Sequence, residues 1–108
     1  MSFHALEYAL VTLDRLAPIE PKLRRRRKSL ADQVARAADS VALNLAEGAA
    51  RAGADRIDLW RRANGSAREL TTALRIALAR GLITAAEHAA IDEPLDHVRA
   101  ILWRLARP

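Results

Sequence analysis

The sequence predicts an all-α protein. Alanine and leucine, which are strong helix formers, dominate the composition, whereas aromatic residues make up only 4% and β-branched residues are scarce. Apolar residues recur at the 3.6-residue period of amphipathic helices rather than in strict alternation. Four such segments with short connections imply antiparallel neighbours, and we therefore expect an up-down-up-down four-helix bundle.

A single domain is expected over residues 1–108, because this length suits one core and is too short for two. With 51% apolar residues, the chain can bury such a core. The absence of cysteine excludes disulfides, thiolate metal sites and cysteine nucleophiles. No apolar run reaches the ~20 residues of a membrane span, and no basic leader precedes the first helix, so we expect a cytoplasmic protein.

The first helix should begin after Ser2, a candidate N-cap, and end near Ala17, because Pro18 follows. The side chains predicted to form its buried stripe are Phe3, Leu6, Leu10 and Leu13. Pro21 can occupy a first helical position, so the basic residues that follow either open the second helix or form a loop. In a helix that opened there, the helix dipole would oppose their positive charge.

The second helix is predicted from Leu30 to Gly48, with Gly48 ending it in a left-handed conformation. Beside its apolar stripe runs a polar track, which is either solvated surface or a buried network that fixes how helices pair. We favour a structural network between the second and third helices. Its predicted members are Ser40, Asn44, Glu47, Asn64, Gly65, Ser66 and Glu69.

The third helix is predicted from Asp55 to Arg80, with Asp55 as its expected cap, Ala54 as an alternative start, and Gly81 at its end. Gly65 lies inside this helix, where glycine costs about 1 kcal/mol relative to alanine. We therefore expect another backbone to approach closely at Gly65.

The fourth helix should open with a capping box, because Thr84 is followed three residues later by Glu87. Pro94 lies inside its apolar pattern and should kink the helix or split it near Asp92. The predicted core-facing residues are Ile91, Leu95, Val98, Leu102 and Leu105.

Positive charge is concentrated in one run. Six of the 18 lysines and arginines lie within residues 22–28, and without them the net charge of +5 would be −1. Such a run can neutralise several phosphates, although it can also be a solvated basic surface without a ligand. The candidate nucleic-acid-binding residues are Lys22, Arg24, Arg25, Arg26, Arg27 and Lys28, with Arg36, Arg51, Arg61 and Arg62 as weaker candidates.

Catalysis and metal binding are not expected. The polar set on the second and third helices lacks a histidine at a usable spacing, and no glycine-rich phosphate loop is present. His4, His88 and His97 are scattered without a shared ligand spacing, so no metal or other cofactor is predicted. Trp60 and Trp103 are interpreted as core or subunit-interface residues rather than as a stacking platform.

Several of these residues resemble a known family. They are Leu30, Gln33, Arg36–Ala38, Ser40–Val41, Asn44–Gly48, Arg51, Gly65–Ser66 and Glu69–Leu70. This pattern is similar to that of the four-helix bundle proteins encoded in intervening sequences of bacterial 23S rRNA genes. That family is similar in turn to the accessory variability determinant proteins of diversity-generating retroelements. The run Arg24–Arg27 is heavier than the family pattern, and Pro94 is a second departure.

The resemblance implies a non-enzymatic homopentamer whose basic surface associates with nucleic acid and with a reverse transcriptase. The residues independently favour a homo-oligomer, because the helices carry more apolar positions than one intramolecular seam absorbs. We therefore expect an oligomer that binds RNA or another nucleic acid through its phosphates. The alternative is a scaffold for a reverse transcriptase or another partner protein that does not bind nucleic acid directly.

Overall fold

The computed structural model describes residues 3–107, and these residues form helices and connections but no strand. The helices are α1 (His4–Leu16), α2 (Glu20–Arg26), α3 (Lys28–Ala49), α4 (Gly53–Ala79) and α5 (Ala85–Leu105). The all-α prediction is confirmed. The prediction of four helices is wrong, because the basic connection folds as a short helix of its own.

The four long helices surround one core. α1 packs against α3 and α5, and α4 packs against the same two helices. The short helix α2 lies on α3, and the molecule measures 42 × 22 × 18 Å. Because α3 has 22 residues and a helix rises 1.5 Å per residue, the start and the end of α3 lie about 33 Å apart. Sites at these two ends of the molecule are therefore separate.

Small side chains fill much of the interior. Ala31, Ala63, Ala67 and Ala77 are fully buried, and leucine and valine occupy the space around them. Alanine lets neighbouring helix backbones approach closely, which explains how a chain with few aromatic residues forms a core. On α5 the predicted seam is confirmed at Ile91, Leu95, Val98 and Leu102, which are all buried, whereas Leu105 is half-buried.

The predicted buried stripe of α1 is wrong in its angular position. Leu10 is 48% exposed, and Phe3, Leu6 and Leu13 are only partly buried. The residues that face the core are Ala5, Ala9, Thr12 and Leu16. Because α1 is apolar on more than one side, its largest apolar side chains suggested the wrong core-facing side. In the structure, a side with mostly smaller residues faces the core. The candidate cap Ser2 lies outside the described residues.

The basic connection forms α2 because two apolar side chains anchor it. Ile19 and Leu23 are buried, and Pro21 lies in the first turn as predicted. At Arg27 the backbone leaves the helical region, with φ −157° and ψ 87°, and this break separates α2 from α3. Residues Arg24–Arg26 consequently lie in the last turn of α2, where the helix dipole favours positive charge. The expected opposition between dipole and charge is therefore wrong for them.

The predictions for two glycines, Gly48 and Gly65, are both wrong. Gly48 does not end α3 in a left-handed conformation but lies inside the helix, where a Cβ atom would stand 2.6 Å from Cδ1 and Nε1 of Trp60. At Gly65 a Cβ atom would meet nothing within 4 Å. The close approach predicted for Gly65 is wrong, and the close approach occurs at Gly48, between its backbone and an indole ring.

The end of α4 agrees with the prediction, whereas its start does not. Gly81 ends the helix, as predicted, and its φ is +68°. The N–H group of Leu82 donates to the Ala77 carbonyl, which completes a Schellman motif. At the other end the helix begins at Gly53, not at Asp55 or Ala54. Asp55 lies within the first turn, where a carboxylate interacts favourably with the helix dipole.

The start of α5 is the predicted capping box. The Glu87 N–H donates to Thr84 Oγ1 at 3.1 Å, and the Thr84 N–H donates to Glu87 Oε1 at 2.8 Å. The helix continues past Pro94, which is buried, so the predicted split near Asp92 does not occur.

Candidate nucleic-acid interface

The basic residues of the run form a corner between α2 and α3. Leu23 points into the core, and the side chains around it on α2 turn outward. We call this group the α2–α3 corner. Its members are Lys22, Arg24, Arg25, Arg26, Arg27 and Lys28, of which all but the half-buried Lys22 are exposed.

Three side chains of the α2–α3 corner hold α2 in place. Lys22 donates to Glu87 at the start of α5, and Arg24 donates to Asp32 on α3. Arg26 Nη1 donates to the carbonyl oxygen of Gly81, in the α4–α5 connection, at 2.8 Å. Half of the predicted run therefore has structural partners inside the molecule.

The two acidic partners at the corner are held in their charged form. The hydrogen bond from Arg24 lowers the pKa of Asp32, and the nearby charges of Lys28 and Arg36 lower it further. The hydrogen bond from Lys22 lowers the pKa of Glu87, and the capping bond from the Thr84 backbone has the same effect. Both carboxylates thus stay ionised at neutral pH, and each offsets one positive charge.

The other three side chains of the corner face solvent. Within residues 3–107, the Arg25, Arg27 and Lys28 side chains form no ion pair and no hydrogen bond. Arg80 also lies at this end, because it precedes the Gly81 carbonyl that binds Arg26. The sequence analysis missed Arg80, since only the fold brings the end of α4 to the corner.

The weaker candidates do not join the corner as one surface. Arg51 pairs with Glu47 at 2.7 Å, and Arg62 pairs with Asp58 at 3.1 Å. Together with Arg61 they lie around the α3–α4 connection, at the opposite end of α3 from the run. Arg36, on α3, donates weakly to the Asp32 carbonyl at 3.5 Å. The structure therefore separates the predicted binding residues into two ends.

Three of the predicted network residues meet between α3 and α4. The hydroxyl oxygens of Ser40 and Ser66 lie 2.7 Å apart, within hydrogen-bond distance. Asn44 Nδ2 donates to the Ser40 carbonyl at 2.9 Å and to the Ser40 hydroxyl at 3.0 Å. All three residues are half-buried, so these bonds satisfy polar groups inside the helix contact.

The remaining predicted members lie outside this cluster. Glu47 is exposed and pairs with Arg51, and Glu69 is exposed and accepts a long 3.5 Å bond from Gln33. Gly65 is exposed with open space around it. Asn64 is half-buried, and no hydrogen bond of its side chain to the cluster is present among the described residues. The helical spacing grouped these residues correctly on neighbouring turns but did not indicate which of them point into the contact.

Other ionic contacts were missed by the sequence analysis. Arg56 donates to the Gly48 and Ala49 carbonyls at 3.1 and 3.2 Å, and its guanidinium lies 5.3 Å from the centre of the Trp60 ring. Arg99 binds both oxygens of Asp92, and this contact lowers the pKa of Asp92. The spacing of seven residues between Asp92 and Arg99 was a signal for their contact. The contacts of Arg56 depend on the α3–α4 turn.

The described residues form neither a metal-binding cluster nor a membrane-spanning helix. Across residues 3–107, no three histidine, aspartate or glutamate side chains come together in a way that could hold a metal ion. His97 instead stacks on Tyr8, with ring centres 4.4 Å apart. Trp60 is half-buried, whereas Trp103 is 61% exposed and lies under the Arg107 guanidinium. No helix of the described part has the length and apolar character needed to cross a bilayer.

The fold and the charged corner define a small all-helical protein with a strongly basic end. The family of 23S rRNA-intervening sequence proteins matches residues 8–104, and the chain belongs to this family. A crystal structure of a protein of unknown function from the S23 ribosomal protein family of Bacteroides thetaiotaomicron has the same fold. It superposes with a TM-score of 0.86 at 19% identity, covering 96% of this chain and 99% of that one. Among curated proteins, no sequence matches this chain significantly.

Proposed function

We propose that this protein is a non-enzymatic nucleic-acid-binding protein that holds phosphate groups at the α2–α3 corner. The observation that carries the proposal is that the Arg25, Arg27 and Lys28 side chains are exposed and form no ion pair in the described chain, beside cations that are already engaged. Arginine presents a planar fork of donors that matches phosphate oxygens, and lysine adds a point charge. RNA is the preferred ligand because the family is named for an rRNA intervening sequence.

Binding of this kind is largely independent of base sequence. Each neutralised phosphate releases counterions, so the affinity falls with salt by a log–log slope of about 0.9 per contact. The corner contains no aromatic side chain on which a base could stack. Phosphate contacts of the exposed cations therefore supply the affinity.

We also propose that the protein is cytoplasmic and assembles with copies of itself. Within each protomer, the long helices alternate in direction. Contacts between α3 and α4 support antiparallel packing, because residues later in α3 meet residues earlier in α4. Gln33 contacts Glu69, Ser40 contacts Ser66, and the Leu45 carbonyl accepts from Trp60 Nε1. Exposed apolar side chains such as Leu43, 70% exposed, support a homo-oligomer, and the family resemblance favours a pentamer.

A salt titration with a fluorescently labelled RNA hairpin tests the corner. The corner variant carries Arg25→Gln, Arg27→Gln and Lys28→Gln. Its affinity at low salt should fall roughly 10- to 100-fold, and its log–log salt slope should fall by about 2 to 3. The matched control removes three charges outside the predicted binding residues, through Arg15→Gln, Arg104→Gln and Arg107→Gln.

The two variants carry equal net charge, so a general charge effect would weaken both equally. A specific loss in the corner variant supports the proposal. Binding by the corner variant that equals that of the wild type, or no binding by the wild type at low salt, would contradict it. Circular dichroism melts of both variants check that the fold is retained.

A second candidate is a scaffold for a partner protein such as a reverse transcriptase. The observation that favours it is an apolar groove between α1 and α3, lined by Leu10, Leu13, Ala42 and Leu43, with Asp39 at its side. A variant with Arg24–Arg27 all replaced by glutamine separates the two functions. Undiminished binding of a purified reverse transcriptase, together with no nucleic-acid binding by the wild type, would establish the scaffold.

A further inference from the structure

We propose that the outward face of α4 is a second, lengthwise contact surface for double-helical nucleic acid. The inference rests on the proposed function and specifies the form of its ligand. The surface is a row of three exposed arginines, Arg61, Arg68 and Arg75, which we call the outward row. The sequence analysis included only the first of these among its candidates.

The outward row follows from helix geometry. Its arginines are seven residues apart, which is nearly two full turns, so they lie on one face about 10.5 Å from one another. The buried residues of α4 lie on the opposite side of the helix and include Ala63, Ala67, Leu70, Leu74 and Ala77. A helix drifts by about 20° per seven residues, so the row stays nearly parallel to the axis over its whole length.

Small residues separate the arginines of the row. Gly65, Thr72 and Ala79 are exposed, are also seven residues apart, and lie along the same face. Open space surrounds Gly65, since a Cβ atom there would meet nothing within 4 Å. A bulky ligand can therefore come close to the α4 backbone while the long arginine side chains reach around it.

Among the described residues, acidic side chains lie near the row without pairing with it. Glu69 directly follows Arg68, and the charge of Arg75 contributes to the lowered pKa of Asp92. Within residues 3–107, no carboxylate forms an ion pair with any arginine of the row. Asp92 and Asp96 on α5 are both paired with Arg99, which offsets part of their charge. Arg61 donates a hydrogen bond to the Ala106 carbonyl. Because a carbonyl group carries no net charge, this bond does not neutralise the guanidinium. The row thus presents three positive charges along α4 that form no ion pair in the described chain and that nearby acids offset in part.

The ligand suited to the row is a duplex rather than a single strand. Proteins that bind single strands without sequence preference combine positive charge with aromatic side chains for stacking. The exposed face of α4 has no aromatic residue, because Trp60, the aromatic residue of this helix, is half-buried and contacts Gly48 and Phe3. A duplex offers a regular array of phosphates to a straight row of cations and needs no stacking.

The dimensions indicate the length of duplex required. The row from Arg61 to Arg75 spans about 21 Å at 1.5 Å per residue. With the rise of about 3.4 Å per base pair of B-form DNA, this corresponds to roughly six base pairs, and the more compressed A-form duplex of RNA needs more. Arg80 adds a positive charge at the corner end of α4, about 140° around the helix from Arg75, and the whole molecule is 42 Å long. A duplex that spans the molecule therefore needs about 12 base pairs in B form and more in A form.

Binding of defined RNA probes tests this inference. The probes are an 8-base-pair duplex, a 16-base-pair duplex and the 16-nucleotide single strand, each measured over a salt series. The row variant carries Arg61→Gln, Arg68→Gln and Arg75→Gln, and the charge-matched control is again Arg15→Gln, Arg104→Gln and Arg107→Gln. Wild type should bind the 16-base-pair duplex at least tenfold more tightly than the single strand.

The row variant should lose about 10- to 100-fold in affinity for the longer duplex and about 2 to 3 in salt slope, while the control keeps both. It should also lose most of the preference for 16 over 8 base pairs. If the row variant binds both duplexes like the wild type, or if the wild type prefers the single strand, the inference is wrong even though the corner binds. If no probe binds the wild type at low salt, the proposed function itself fails.

Discussion

The two ends of the molecule use arginine in opposite ways. At the α3–α4 end, Arg56 donates to two helix carbonyls and covers the Trp60 ring, so its charge stabilises the fold. At the α2–α3 corner, Arg25 and Arg27 project into solvent without a partner in the described chain. The difference lies in the nearby hydrogen-bond acceptors. Carbonyl groups at the end of α3 accept from Arg56, whereas the acceptors at the corner already bind the neighbouring cations. Residue type alone therefore does not distinguish a structural arginine from a binding one.

The largest expected effect on stability is at the α3–α4 end. Gly48→Ala would place a Cβ atom 2.6 Å from the Trp60 ring, and overpacking of this kind costs about 1–3 kcal/mol. The control is Gly65→Ala, which fills open space and should stabilise the helix by about 0.5–1 kcal/mol. Urea unfolding of both variants measures the difference. Equal changes in the two variants would show that the indole does not restrict Gly48.

A smaller effect compares arginines at the two ends directly. Arg56→Ala should lower the free energy of unfolding by about 1–2 kcal/mol, because two charge-assisted hydrogen bonds and a cation–π contact are lost. Arg25→Ala should change it by less than about 0.5 kcal/mol, as is usual for an exposed side chain. Thermal melts at moderate salt give both values. A larger loss for Arg25→Ala would reverse the contrast between the ends.

The smallest predicted effect is a dependence of stability on pH. Arg99 lowers the pKa of Asp92 in the folded state below its ordinary value of 3.8. Because the folded-state pKa is the lower one, the stabilisation is present above pH 3.8 or so and is lost as the pH falls through the folded-state value. Asp92→Asn should therefore reduce the loss of stability between pH 7 and pH 2.5, measured as urea midpoints. Asp39→Asn, a control without an ion pair in the described residues, should behave like the wild type.

Structural features set by a few neighbouring residues were predicted better than features set by contacts between distant parts of the chain. The capping box at Thr84 and the end of α4 at Gly81 were predicted correctly, because each depends on residues within one or two turns. The buried face of α1 was not, because the helix is apolar on more than one side and its neighbours decide which side faces the core. The same holds for Gly48, whose role depends on Trp60, twelve residues away in the next helix.

The candidate site was predicted in composition but not in arrangement. The run of cations was evident from the sequence, whereas Pro21 left open whether the run opens a helix or forms a loop. That Lys22 and Arg24 would be engaged by acids required the positions of α5 and of the first turn of α3. The outward row required knowledge of which face of α4 is buried. Charge counts therefore identified candidates, and only the fold separated tethered cations from exposed ones.

The carboxylate of Glu87 has two tasks at once. It accepts the Thr84 N–H that opens α5, and it also receives Lys22 from α2. A change at this one position would consequently weaken both the start of α5 and one of the contacts that hold α2. The basic corner is thus oriented in part by a helix start, together with the buried Ile19 and Leu23 and the contacts of Arg24 and Arg26.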